Sequence, residues 1–189
     1  MDYSPNATMR DARHDYYMAN DFGEDGGESK RVVWVDFGPL RFPVPNTKSR
    51  KHAVRYHDFH HVLTGYHTDW QGEFEISGWE IGAGCANAWF AWFINLQGLL
   101  LGMMFLPRRT IAAFVRGRHS QSLYRYDHDS LLEMTVATAR DMTGVDQATV
   151  SATARDLVSL GFWFLVSLLL AVLQLGLLVA PIILILWVI

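Results

Sequence analysis

The stretch His57-Asp58-Phe59-His60-His61-Val62-Leu63-Thr64-Gly65-Tyr66-His67-Thr68-Asp69-Trp70-Gln71-Gly72-Glu73 holds four of the chain's eight histidines. Its reading decides the fold. From Ser49 onward His52, Tyr56, Phe59 and Val62-Leu63 recur at three- and four-residue spacing, which predicts a helix, and Gly65 is a natural stop. On that helix His57 and His61 lie one turn apart on one face. Asp58 joins them within about 100° of arc at 3.6 residues per turn. Past the break, Thr68 or Asp69 can cap a second helix, and Glu73 on it faces back across the turn. Two imidazoles with two carboxylates suit zinc, and also iron(II) or manganese, because nitrogen and oxygen donors alone do not choose among these ions. His57, Asp58, His61 and Glu73 are therefore the candidate metal ligands and the candidate catalytic groups, with zinc favoured. The competing reading makes them surface histidines satisfied by water and by Glu75 or Glu80.

Working outward from that segment, hydrophobicity divides the chain. Half of its 189 residues are hydrophobic, yet no charged residue occurs from Leu157 to Ile189 or from Ile81 to Pro107. A hydrocarbon core of about 30 Å is crossed by roughly 20 helical residues, so the C-terminal run reads as a membrane anchor and single span. The first run carries Asn87, Asn95 and Gln97 with Gly82, Gly84, Gly98 and Gly102, a mixture better suited to a lipid-contacting or tunnel-lining helix than to a second span. The second helix is expected to run from Glu73 into this segment, with Pro107 ending or kinking it.

Residues 1–47 read as an acidic, partly irregular arm. It has the Gly-rich stretch Gly23 to Glu28 and an extended pair around Arg31 to Phe37 and Leu40 to Pro45. The arm has no apolar core and is acidic, so it matches neither a secretory signal nor a transit peptide. Residues 48–156 read as a helical domain, with further helices over Ile111 to Val115, closed by Gly117, and Asp127 to Thr143, capped by Gly144. Residues 157–189 are the anchor. The fold class is mainly α, with a short extended N-terminal segment and a C-terminal transmembrane helix.

A formal charge of −3 without a basic stripe excludes a nucleic-acid partner. Local clusters do exist: Lys48, Arg50, Lys51 and Arg55, then Arg108, Arg109, Arg116 and Arg118. Either set is a candidate for anionic headgroups, and the second favours a cytoplasmic, or matrix-equivalent, polar domain. Cys85 is the single cysteine, so an intrachain disulfide and a thiolate metal cluster are both excluded.

His57-Asp58-x-x-His61 followed by Glu73, with Leu63-Thr64-Gly65, Thr68 and Gly72 around it, resembles the signature of the coenzyme Q (ubiquinone) biosynthesis protein 4 family. The resemblance extends over about Arg55 to Val145. It takes in Gly102 to Pro107, Arg116-Gly117-Arg118-His119-Ser120, and Leu131-Leu132-Glu133 to Gly144-Val145. It implies an all-α protein on the membrane where ubiquinone is made, with zinc on the four motif residues and a prenylated quinone precursor held between helices. The implied activity is metal-dependent removal of the ring carboxylate with replacement by hydroxyl, joined to scaffolding of other membrane or quinone-pathway proteins. On this basis Gly98 and Gly102 are expected to leave room for the prenyl tail, and Arg116 and Arg118 to hold the head's charge; membrane lipid and a second copy of the chain are further expected partners. Three features depart from the family: the N-terminal arm, the long C-terminal span, and His60 and His67.

Three rival readings compete. His57-x-x-His60-His61 resembles one box of a membrane di-iron hydroxylase or desaturase, but His14, His52, His119 and His128 are unpaired elsewhere. An HD-type phosphohydrolase would use His57-Asp58 with His14 or His52 and Asp127 or Asp129. A non-catalytic complex subunit or assembly factor would use the metal to staple two helices.

Overall fold

The computed structural model describes residues 3–37, 40–146 and 151–188. It is mainly helical: α1 Met9–Ala19, a hairpin of β1 Val32–Phe37 and β2 Leu40–Pro45, α2 Lys48–Thr64, α3 Trp70–Ala83, α4 Trp89–Phe105, α5 Pro107–Arg118, α6 His128–Leu132, α7 Val136–Thr143 and α8 Ala154–Val188. The two strands pair antiparallel, Val32 opposite Pro45 and Phe37 opposite Leu40.

Local chemistry places the helix starts. Thr8, Thr47, Asp69, Asp127 and Thr135 each accept a hydrogen bond from the backbone N–H three residues on, satisfying donors that the first helical turn leaves free. Gly65 and Gly144 end α2 and α7 in left-handed conformation, at φ 76° and 68°, where a Cβ would be strained.

Four expectations from sequence are corrected. The N-terminal arm contains α1, whose buried Met9, Ala12, Tyr16 and Tyr17 join the core beside Tyr56, Phe59 and Leu63 of α2. Low apolar content concealed it, since its buried face is largely tyrosine. The second helix does not continue through the apolar run. It stops at Ala83, and positive φ at Gly84 and Ala86 reverses the chain into α4. Helix α5 starts at Pro107 rather than Ile111 and runs through Gly117. The segment Asp127 to Thr143 is two helices, because Thr135 caps α7 afresh.

Helices α3, α4 and α5 form the unit that carries the rest. Helix α4 runs back along α3, and α5 returns parallel to α3 at very close range. A Cβ on Gly82 would overlap the Phe114 carbonyl oxygen, and one on Gly117 would overlap the Trp79 carbonyl oxygen. Only glycine permits backbones this near.

Helix α4 buries Ala91, Asn95, Leu96, Leu99 and Gly102 and exposes Trp89, Phe93, Ile94, Met104 and Phe105. At 17 residues it is shorter than the roughly 20 needed to cross a bilayer. Helix α8 differs. Its base packs Leu160 among Ile81, Leu96, Leu99 and Phe114, and Trp163 stacks on Trp92 with ring centroids 4.7 Å apart. Beyond that base Val172, Leu173, Leu175, Leu177 and Leu178 are exposed. Ala154–Ala180 is long and apolar enough to cross a membrane, and its most apolar window is only 6% buried. That low burial separates it from a core helix of a soluble protein.

Candidate metal centre

Helix α2 presents His57 and His61, and the first turn of α3 presents Glu73. One donor atom from each of the three can be chosen so that all lie within 4.8 Å of one another. The two Nε2 atoms are 3.1 Å apart, His57 Nε2 is 3.4 Å from Glu73 Oε2, and His61 Nε2 is 3.4 Å from Glu73 Oε1. Donors on a tetrahedral ion with bonds of about 2.0–2.1 Å are separated by about 3.3 Å, so these spacings fit zinc.

The protonation pattern makes the same point. A backbone carbonyl only accepts, so His61 Nδ1 donates to Tyr66 O at 2.9 Å. An ionised carboxylate also only accepts, so His57 Nδ1 donates to Glu80 Oε1 at 2.9 Å. Both Nε2 atoms are then turned toward each other and toward Glu73, where they can share a proton or hold a metal ion.

The charges follow. Burial lowers the His57 pKa, but the Glu80 charge and the hydrogen bonds to Glu73 and Glu80 outweigh it and hold His57 well above the ordinary imidazole value. Burial raises Glu73, yet the His61 charge and the bonds to both histidines bring it down to about 2. In the metal-free state a proton therefore occupies the place a metal would take.

Asp58 is corrected. Although it is within one turn of His57, it is about 100° from it around the helix. Its side chain turns to α1, where Tyr17 Oη donates to Asp58 Oδ2 at 2.8 Å. The three-donor cluster of His57, His61 and Glu73 does not include it. A zinc ion held by these three donors would keep a fourth position open, the pattern of a catalytic rather than a structural site.

His60 is corrected as a box residue. It is fully buried, its Nε2 accepts the Leu123 N–H at 2.8 Å, and its Nδ1 donates to Glu80 Oε1 at 2.7 Å. Neither nitrogen is free for a metal, which removes the di-iron reading of this segment. His67 lines a small cleft with Tyr16, Asn20, His61, Tyr66 and Thr68. Tyr16 also stacks on the His61 ring at 5.6 Å.

The residues expected to hold the precursor are placed otherwise. A Cβ on Gly98 would sit 2.5 Å from Ser77 Cβ, and one on Gly102 would sit 2.5 Å from Thr110 Oγ1 and 3.0 Å from Phe74 Cβ. The space over both glycines is helix packing, not a tail groove. Arg116 donates to Thr64 O and Val145 O and lies over the Tyr66 ring, tying α5 to the end of α2. Arg118 Nε faces Asp156 Oδ1 at 3.4 Å. In the first basic cluster Arg55 is paired with Glu28.

Sequence reasoning assigned Glu80 no part in the centre beyond satisfying histidines at a surface. It is completely buried on α3, two turns after Glu73, and that seven-residue spacing is the signal that places both on one face.

Fold and centre together define a helical protein with a His/His/Glu cluster at the α2–α3 turn and a long apolar C-terminal helix. Comparison with protein-family models, curated proteins and solved structures finds no match to the chain.

Proposed function

We propose that this is a membrane-attached protein that holds one divalent metal, zinc in the first instance, through His57, His61 and Glu73, and presents it to the acidic head of a prenylated aromatic ring, as in ubiquinone biosynthesis. The observation that carries the metal reading is the convergence of one donor atom each from His57, His61 and Glu73 within 4.8 Å, with the Nδ1 atoms of both histidines committed elsewhere. The motif resemblance supplies the substrate class. Bound there, the metal would act as a Lewis acid toward an oxygen of the head group.

The chain's own groups do the positioning. Glu73, with 43% of its side chain exposed, lies at the open side. Tyr16 offers a ring face beside His61, and Asn20, Tyr66 and Thr68 border the cleft. The first turn of α3 packs on the C-terminal half of α4, so exposed Trp70, Met104 and Phe105 give the tail an apolar exit toward lipid. Exchange of a ring carboxylate for hydroxyl is a two-electron oxidation and draws on dioxygen or another external oxidant.

Metal analysis of the purified full chain, with mass spectrometry of its lipid extract, tests this reading. One zinc per chain and a carboxylated, prenylated ring compound are expected; a metal-free protein that takes up no added zinc would sink it. Loss of the protein in cells is expected to accumulate the same carboxylated intermediate.

Membrane attachment is proposed to rest on α8, with the polar domain on the side favoured by Arg108, Arg109, Arg116 and Arg118. Removing residues 172–189 keeps the packed base at Leu160 and Trp163 while deleting the outer third of the span and everything after it. The truncated protein is expected to shift from carbonate-resistant to carbonate-extractable yet still float with liposomes, because the exposed face of α4 remains. A carbonate-resistant truncation would show that α8 is not the anchor.

A further inference from the structure

We propose that Glu80 is the positioning residue of this centre: its carboxylate accepts the His57 Nδ1–H and so turns His57 Nε2, the nitrogen that gives up its proton to a metal, toward His61 and Glu73. This rests on the metal reading above. Glu80 accepts four hydrogen bonds, from His57 Nδ1 at 2.9 Å and His60 Nδ1 at 2.7 Å on Oε1, and from Tyr124 Oη at 2.7 Å and the Asn95 amide on Oε2. Those donors come from α2, from α4 and from the turn at Leu123–Arg125. A carboxylate removed from water is very costly unless its lone pairs are all engaged, so four converging donors mark a specified arrangement.

A purely architectural role would explain His60, Tyr124 and Asn95. It does not explain His57. Among the four donors, His57 alone has its other ring nitrogen in the metal cluster. A neutral imidazole carries one ring proton, so fixing it on Nδ1 leaves Nε2 bare. A proton on Nε2 would occupy the lone pair the metal needs. A carboxylate behind a ligating histidine also raises the basicity of the metal-facing nitrogen.

The two ligating histidines thus differ: His61 is oriented by a neutral carbonyl, that of Tyr66, and His57 by a charge. The same carboxylate, with the Leu123 N–H, occupies both nitrogens of His60 and keeps it out of the cluster. One buried acid therefore selects which histidine of the adjacent pair His60-His61 and its neighbour His57 can bind.

The test uses the full chain in detergent micelles, with zinc as the probe. Long-range proton–nitrogen NMR of the zinc-loaded wild type is expected to show the His57 proton on Nδ1; a proton on Nε2 overturns the proposal without any variant. Glu80→Gln keeps the side-chain shape and removes the charge, and is expected to weaken zinc binding by roughly 10- to 100-fold in chelator competition. Tyr124→Phe removes a different donor and leaves the Glu80–His57 pair, so its zinc affinity is expected to stay within about threefold of wild type on the same scale. Equal affinity in Glu80→Gln and wild type, with one zinc bound in each, overturns the role of Glu80 while leaving the metal site standing. Should the wild type take up no zinc, the metal reading itself fails, and this proposal with it.

Discussion

Replacing His61 with alanine is expected to strip the protein of metal, lowering zinc affinity by more than about 100-fold, beyond the loss typical of an outer-shell partner. His57→Ala and Glu73→Ala are expected to behave alike, because each removes one of the three donors of the cluster. The informative contrast is Asp58→Asn. The motif places Asp58 among the ligands, whereas the structure spends its carboxylate on Tyr17. Asp58→Asn is therefore expected to keep one metal per chain with affinity within about tenfold, less than the loss of a ligand. Burial raises the Asp58 pKa, an effect opposed by the His57 charge and the Tyr17 bond, so the uncharged amide is a mild change there. Metal content by elemental analysis and affinity by chelator competition decide the matter. If Asp58→Asn loses metal as His61→Ala does, the site has four protein donors, and the metal becomes a staple rather than a place for substrate.

The second large effect is on stability. Gly117→Ala is expected to destabilise the fold by about 3 kcal/mol, at the upper end for overpacking, because the new methyl meets the Trp79 backbone rather than a flexible side chain. For a chain of this size that corresponds to a fall in Tm of roughly 6–12 °C. Gly82→Ala is expected to act similarly from the opposite helix, against the Phe114 carbonyl. Gly161 on α8 provides the control, since a Cβ there meets nothing within 4 Å. Gly161→Ala is expected to leave Tm unchanged or slightly raised, as alanine favours a helix over glycine. Thermal melts of the three variants in one detergent would test this. A Gly117→Ala protein melting with wild type would mean that α3 and α5 are not held at this range.

How far this was legible in the sequence varies by element. The periodicity from His52 to Leu63, the stop at Gly65 and the cap at Asp69 predicted α2 and the start of α3, because those signals act within a few residues. Gly144 was read correctly for the same reason. By contrast α1 was missed, since Tyr16 and Tyr17 read as polar in an acidic segment until α2 is packed against them. The break at Gly84 was missed because an uninterrupted apolar run carries no period that marks where a helix ends. Gly117 does lie in the last turn of α5, but what requires glycine there is the neighbouring Trp79 backbone and not the helix end.

For the site, the sequence by itself determined that His57, His61 and Glu73 would meet, since one helical turn and one tight break are local geometry. It also determined that the charge-free C-terminal run is helical, with Ala154–Ala180 long and apolar enough to cross a bilayer. Only the tertiary structure decided the rest. Whether Asp58 joins the cluster depends on Tyr17, forty-one residues away. Whether His60 can bind depends on the Leu123 N–H, and the tautomer of His57 depends on Glu80, which is held in turn by Asn95 and Tyr124. Spacing along a helix fixes which side chains share a face, but hydrogen-bond partners brought from distant helices fix which of their atoms remain free.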